Sequence, residues 1–255
     1  MKRIVLLLSV VMLAFTSCSK NEDNSVQSVS VEPNNILLKK SVSTNGSSSF
    51  TLEYVYSGNK LLRININTDS YITHTYIGDL ITRGAQYNNN VLSVETIYEY
   101  DSNNKMISAK SLSYDNLIAS KTVYNYNLDG TIHYEVYRGN FSSQNTLSGT
   151  GKMWLNSDSE IFKKEEYQNG VLTYRKENTF DTGNSVFKNV TGFDKLFLSD
   201  SGKKRNLISS QTHDSNNVLV TGYSDVVTYN QNNYPTSAIR TLSTGSTSTI
   251  QYFYE

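Results

Sequence analysis

The sequence has 255 residues, with 23 basic and 23 acidic side chains, 19 tyrosines, two prolines and one cysteine. A single cysteine excludes a disulfide scaffold, and a net charge of zero argues against a nucleic-acid partner, whose binding normally needs a basic face. Tyr, Thr, Val and Ile favour strands, while Asn, Ser and Gly favour turns. The composition therefore predicts an all-β protein and excludes a long helical bundle.

Residues 1–17 are predicted to be a lipoprotein signal peptide. Two basic residues precede an apolar run over residues 4–15, which is shorter than the ~20 residues of a membrane-spanning helix and fits a secretory signal. Small residues then precede Cys18, as in the bacterial lipobox, whose cysteine is lipidated and becomes the first residue. We expect lipid on Cys18 to hold the protein on a membrane. The alternative is an ordinary signal peptide with a free Cys18 thiol.

The residues after Cys18 indicate where in the cell envelope the protein is expected to lie. Lys20 is followed by Glu22 and Asp23, which resembles the surface-export tag of Bacteroidota lipoproteins. We expect an outer-membrane lipoprotein that is exposed at the cell surface, with the periplasmic face of that membrane as the alternative. Residues 18–48 are predicted to be the lipidated N-terminus and a flexible tether, within which residues 36–42 could form a first strand.

Residues 49–255 repeat one pattern, which is predicted to be a β-meander domain. Each copy is a strand carrying Tyr-x-Tyr or a similar pair, a polar turn of Asp, Asn, Ser or Gly, and a second strand. Asn-Gly and Asn-Asn pairs supply the positive φ angles that tight hairpin turns require. A strand with its turn takes ~12–13 residues, which is typical of consecutive antiparallel hairpins. The copies begin at Tyr54, Tyr98, Tyr124 and Val227.

One stretch, residues 187–198, lacks the period-two alternation of the strands. Phe193, Leu196 and Phe197 stand at positions i, i+3 and i+4, which share one face of a helix. The spacing predicts a short helix near residues 191–198.

The repeat resembles two known groups. The pattern Tyr-x-Tyr-Asp-x-x-Asn-Lys around Tyr98 resembles the YD repeats of RHS-type surface proteins, although several copies lack the basic residue after the turn. The lipobox, the acidic start, the tyrosine hairpins and a late segment from Phe187 to Ile208 are similar to uncharacterised Bacteroidota lipoproteins of the DUF4595-like group. This resemblance covers roughly residues 50–255. It implies a curled or barrel-like antiparallel sheet and no particular activity.

No motif of catalysis or cofactor binding was found, and we expect no cofactor and no metal site. The three histidines lack the spacing of zinc ligands. Asn156, Asp158 and Glu160 alternate and could share one strand face as a weak surface calcium site, although no calcium-loop motif accompanies them. Glu165 and Glu166 are adjacent, so on a strand they point to opposite faces and cannot act as a paired acid and base.

The tyrosines remain as candidate ligand-binding residues. Tyr98, Tyr100, Tyr124 and Tyr126 would form rows on neighbouring strands, and an exposed strip of Tyr and Asn suits an extended glycan or a partner protein. The opposing interpretation is that these tyrosines fill the interior of the sheet. The favoured function is a non-enzymatic envelope lipoprotein that serves as a binding or structural module. The alternative is a glycan-active hydrolase with dispersed carboxylates.

Overall fold

The fold is a closed antiparallel barrel of sixteen strands, which confirms the predicted all-β meander. The computed structural model describes residues 36–197 and 201–255, so the predicted signal peptide and Cys18 lie outside the described residues. The strands, in chain order, are β1 (Leu38–Asn45), β2 (Ser48–Ser57), β3 (Lys60–Asn65), β4 (Tyr71–Ile77), β5 (Leu80–Asn88), β6 (Val91–Tyr100), β7 (Met106–Ser113), β8 (Ile118–Tyr126), β9 (Ile132–Gly139), β10 (Thr146–Leu155), β11 (Ile161–Gln168), β12 (Val171–Asn184), β13 (Arg205–Asp214), β14 (Leu219–Tyr229), β15 (Pro235–Leu242) and β16 (Thr247–Tyr254).

The first strand closes the barrel, so the domain begins earlier than residue 49. β1 lies within the region predicted to be a tether, yet it pairs with β2 on one side and with β16 on the other. The backbone amides of Leu37 and Glu255 each donate to the other residue's carbonyl over 3.2 Å. Residues 36–42 were expected as a possible first strand within the tether. The observed strand runs to Asn45 and belongs to the barrel, so the domain boundary lies before Leu38 and not at residue 49.

The hairpin turns lie at the two ends of the barrel and use the residues that the sequence indicated. At one end, the turns contain left-handed residues such as Asn89, Asn90 and Asn169, with φ between 50° and 62°. At the other end, glycines such as Gly58 and Gly78 adopt the same conformation. These positive φ angles match the right-handed twist of the paired strands, which explains the repeated polar pairs.

The connection between β12 and β13 closes one end of the barrel. Its residues 185–197, here called the plug, lie at the end where Gly58 and Gly78 turn, here called the plugged end; the opposite end is called the open end. The plug amide of Thr191 donates to the Asn59 carbonyl over 2.9 Å, and the Asn189 side-chain amide donates to the Ile36 carbonyl over 3.1 Å. A wide barrel leaves a lumen that its own side chains do not fill, so the plug supplies the missing core.

The main hydrophobic core lies between the plug and the inner faces of the strands. Phe193 and Leu196 are buried in it, and the ring of Phe187 stacks on Phe193 with centroids 4.9 Å apart. Leu61 and Ile81 from the barrel wall are fully buried in the same cluster. Each such side chain contributes about 1.5–3 kcal/mol through burial.

The predicted helix near residues 191–198 is reduced to a single 3₁₀ turn over Phe193–Lys195. Gly192 precedes it with φ of 81°, and Leu196 follows in an extended conformation, so no α-helical turn forms. A Cβ atom at Gly192 would lie against the Asp79 carbonyl oxygen. The apolar spacing of Phe193, Leu196 and Phe197 therefore reflects burial in the barrel and not a longer helix.

The second tyrosine of the repeat has a structural role that explains the repetition. The hydroxyls of Tyr76, Tyr100 and Tyr126 donate to the carbonyls of Leu61, Ile81 and Met106, over 2.7–3.2 Å. Each bond reaches the preceding strand, which is the directly paired neighbour, near the plugged end. The same hydrogen bond from a tyrosine hydroxyl to a backbone carbonyl therefore recurs from hairpin to hairpin.

The outer face carries charges in the middle of many strands. Lys163 and Glu165 on β11 form an ion pair of 2.8 Å, and the Lys163 ammonium lies 4.4 Å from the ring of Trp154. Met153, the neighbour of Trp154, takes the buried inner position on β10, so alternation places the indole on the outer face. Among the described residues, no helix has the length and apolar character of a membrane span.

His74 links the stability of the plug to pH. Its ring faces the lumen 5.7 Å from the plug ring of Phe193, and burial lowers the pKa of His74 to about 4. An unfolded chain would bind the proton at a pKa near 6.5, so folding favours the neutral imidazole. The contribution of His74 to the free energy of unfolding is fully present above pH ~6.5 and is lost as the pH drops toward 4, by about 3 kcal/mol in total.

Urea denaturation of the wild type and of His74→Gln at pH 7 and pH 4.5 tests this expectation. The substitution should reduce the loss of unfolding free energy on acidification, because one group that must protonate on unfolding is removed. His133→Gln, on the outward side of β9, is the matched control. Equal acid sensitivity in wild type and His74→Gln would contradict the assignment.

Candidate functional site

The barrel retains a cavity on the open side of the plug, here called the cup. It has a volume of about 430 Å³ and is walled by residues of β8 to β12, with Phe197 of the plug at its base. The lining includes Tyr124, Tyr134 and Tyr174 together with Thr122 and Ser148. Its size lies in the range of small-molecule sites, which is roughly 300–1,000 Å³.

The base of the cup is an apolar and aromatic surface. The Tyr124 ring lies 4.7 Å from Phe197, and Tyr134 belongs to a second buried cluster with Ile132 and Met153. Tyr134 covers Gly151 on the neighbouring strand, where any Cβ atom would overlap its ring. Desolvation, followed by the charge of Glu166, raises the pKa of the Tyr134 hydroxyl well above its usual value. Tyr134 is therefore a fixed, neutral part of the cup.

The wall of the cup carries charged side chains on β9 and β11. Lys164 and Glu166, two residues apart on β11, both face the lumen and form an ion pair of 2.7 Å. The Lys164 ammonium also lies 5.2 Å from the centroid of Tyr134. Arg138 lines the same cavity from β9. As alternation predicts, Glu165 points the other way, so the adjacent glutamates serve different surfaces.

A second charged pair lies on the inner face of β14 and β15. Arg240 forms a bidentate ion pair with Asp225 over two contacts of 2.8 Å, and its guanidinium stacks 3.7 Å from the Tyr223 ring. The Asp225 side chain is only 4% exposed. The hydrogen bond and charge of Asp225 raise the pKa of Arg240, so the guanidinium stays protonated. Arg240 and Asp225 are each other's polar partners within the protein.

The predicted tyrosine strip is not an exposed surface. Tyr98, Tyr100 and Tyr124 pack against the core on the inner face of the barrel, because period-two alternation directs them toward the plug. Tyr126 is 38% exposed, but its hydroxyl already donates to the Met106 carbonyl over 3.0 Å. Only Tyr124 of the four lines the cup. A ligand-binding role for these residues stays a prediction, and it now concerns the lumen.

Burial makes ionisation of these tyrosines unfavourable. Desolvation raises the pKa of Tyr98 and Tyr124, and it raises the pKa of Tyr126 to about 12. They act at neutral pH as rings with hydroxyl groups and not as acids or bases.

The structure assigns a different role to the residues considered for calcium. Glu160 is 1% exposed and accepts hydrogen bonds from three consecutive backbone amides, those of Lys203, Lys204 and Arg205, over 2.6–3.0 Å. Asp158 pairs with the Arg205 side chain over 2.9 Å. Across residues 36–197 and 201–255, no three His, Cys, Asp or Glu side chains lie close enough to hold a metal ion. These hydrogen bonds of Glu160 could not be predicted from the sequence, because the donors are backbone amides 43–45 residues away.

Two solved structures are similar to this chain. A porin-like protein from Bacteroides uniformis is 9% identical, with 88% of this chain and 98% of that chain covered and a TM-score of 0.52. A porin-like protein from Bacteroides vulgatus is 11% identical, with 86% and 98% covered and a TM-score of 0.48. No protein-family model matches the sequence, and no curated protein matches it either. The first of these likenesses supports the barrel fold alone.

Proposed function

We propose that this protein is a non-enzymatic envelope lipoprotein that binds a glycan in the cup and is held on the outer membrane through lipid on Cys18. One observation carries the binding role: the plug closes one end of the barrel, so the lumen is a blind cavity lined by tyrosines and hydroxyl side chains. Aromatic faces suit the CH surfaces of sugar rings, and hydroxyl groups can both donate to and accept from a sugar.

The lining supports binding over hydrolysis. A glycosidase needs two carboxyl groups flanking the bond that it cleaves, ~5–10 Å apart. Glu166 is the one carboxylate among the described residues that line the cup, and Lys164 occupies it as an ion-pair partner. This arrangement favours the binding module over the hydrolase alternative.

Glycan-array screening of the purified full-length protein tests the proposal. We expect binding to a subset of glycans and a loss of about tenfold in affinity for Tyr174→Ala, since Tyr174 lines the cup and is 46% exposed. Tyr137→Ala is the matched control, because the Tyr137 hydroxyl binds Glu135 on the other face of β9. A silent array, or equal loss in both variants, would contradict glycan binding in the cup.

A further inference from the structure

The cup is locally cationic in a protein whose charges balance overall. Among the described residues, Arg138 and Lys164 line it together with one carboxylate, that of Glu166. Lys176 lines the adjoining hollow together with Lys164, Glu166 and Tyr174, so this stretch of the inner wall carries three cations and one anion. The whole chain has 23 basic and 23 acidic side chains. The excess of positive charge is therefore a property of this wall.

Arg138 is the group best placed to meet a ligand. Its side chain is exposed to the lumen, and among the described residues it forms no ion pair and no side-chain hydrogen bond. Arg63, Arg83, Arg175, Arg205 and Arg240 all contact a polar group or an aromatic ring. A guanidinium presents its donors as a planar fork that matches the two oxygens of a carboxylate.

The surroundings of Arg138 are rich in small hydroxyl groups. Thr122 and Ser148 line the cup on β8 and β10, and Ser120 lies opposite Arg138 on β8. The Ser148 hydroxyl also donates to the Val136 carbonyl over 3.1 Å. Such side chains provide both donors and acceptors at a low entropic cost, which suits a ligand with many hydroxyls. A compact inorganic anion would use the cations and leave these hydroxyls and Tyr174 without a role.

We infer that the cup takes an acidic oligosaccharide whose sugars bear carboxylates, such as a short chain of uronate units. This inference rests on the proposed function and names the ligand class for the same site. The sugar carboxylate pairs with the Arg138 guanidinium, while Lys164 and Lys176 supply a positive field along the wall. The ring faces lie against Tyr174, and their hydroxyls meet the threonine and serine side chains.

Isothermal titration calorimetry of the full-length protein provides the test, with tri-galacturonate and neutral galactotriose as probes. The acidic trisaccharide should bind at least about tenfold more tightly than the neutral one, because hydrogen bonds to charged groups contribute more. Its affinity should fall as salt is raised. Arg138→Gln and Lys164→Gln should each weaken it by about tenfold.

Adjacent residues provide matched controls. Lys163→Gln removes the same charge from the next position of β11 but on the outer face, and Arg175→Gln does so on β12. Both should leave the affinity for tri-galacturonate unchanged. If the neutral probe binds as tightly as the acidic one, the inference is overturned while glycan binding in the cup stands. If neither probe binds, the uronate assignment fails, and the array result alone decides the proposed function.

Discussion

Glu160→Ala is expected to lower the free energy of unfolding by at least about 3 kcal/mol, because three backbone amides lose a charged acceptor at once. Each buried donor left without a partner costs roughly 1–3 kcal/mol. The site is closed to solvent, since Glu160 is 1% exposed, so water cannot replace the carboxylate without rearrangement. The segment that returns from the plug to β13 should therefore loosen.

Chemical denaturation and hydrogen exchange together measure this effect. The amides of Lys203, Lys204 and Arg205 should lose protection in the variant. Glu177→Ala is the control: Glu177 forms an ion pair with Arg175 on the surface, its side chain is 50% exposed, and such pairs contribute about 0–1 kcal/mol. A Glu160→Ala protein as stable as the control variant would show that these hydrogen bonds add nothing net.

Cys18→Ala is expected to move the protein from the membrane fraction to the soluble fraction. The prediction depends on the charged start, the short apolar run and the small residues before this cysteine. Each buried lipid CH₂ contributes roughly 0.8 kcal/mol, so two or more acyl chains hold a folded domain on the bilayer. The proteins are fractionated from cells and their intact mass is measured.

The wild-type protein should lack residues 1–17 and carry added acyl mass on Cys18. Ser19→Ala, which leaves the cysteine in place, is the control and should remain with the membrane. An unmodified mass for the mature wild type, or a Cys18→Ala protein that still sediments with membranes, would refute lipid anchoring. Protease treatment of intact cells then separates surface display from the periplasmic face.

The sequence predicted the architecture well because the determining signals are local. Alternation gives strands, and pairs such as Asn169-Gly170 give the turns, so a meander follows directly. The closure of the sheet into a barrel could not be predicted from the sequence, because the pairing of β1 with β16 joins residues about 200 positions apart. Likewise, the spacing of Phe193, Leu196 and Phe197 correctly indicated an apolar cluster, but it predicted a longer helix where only a 3₁₀ turn forms.

The site was harder to predict because alternation separates two faces without saying which one is inside. Glu165 and Glu166 were correctly expected to diverge, yet nothing in their sequence assigns Glu166 to the lumen. The tyrosines were considered both as an exposed binding strip and as residues that fill the interior of the sheet, because their repetition fits either face. Their repetition instead follows from hydroxyl bonds such as that of Tyr100 to the Ile81 carbonyl, which recur with each hairpin.

The pairing of β1 with β16 has a consequence for how the chain folds. Hairpins such as β5–β6 can form early, because their contacts are local. Until β16 pairs with β1, however, both strands are free edges, which are open to pairing with another chain. The plug follows β12, so the interior also stays incomplete until this late segment is in place. A chain of this kind would depend on protection by chaperones until the barrel closes.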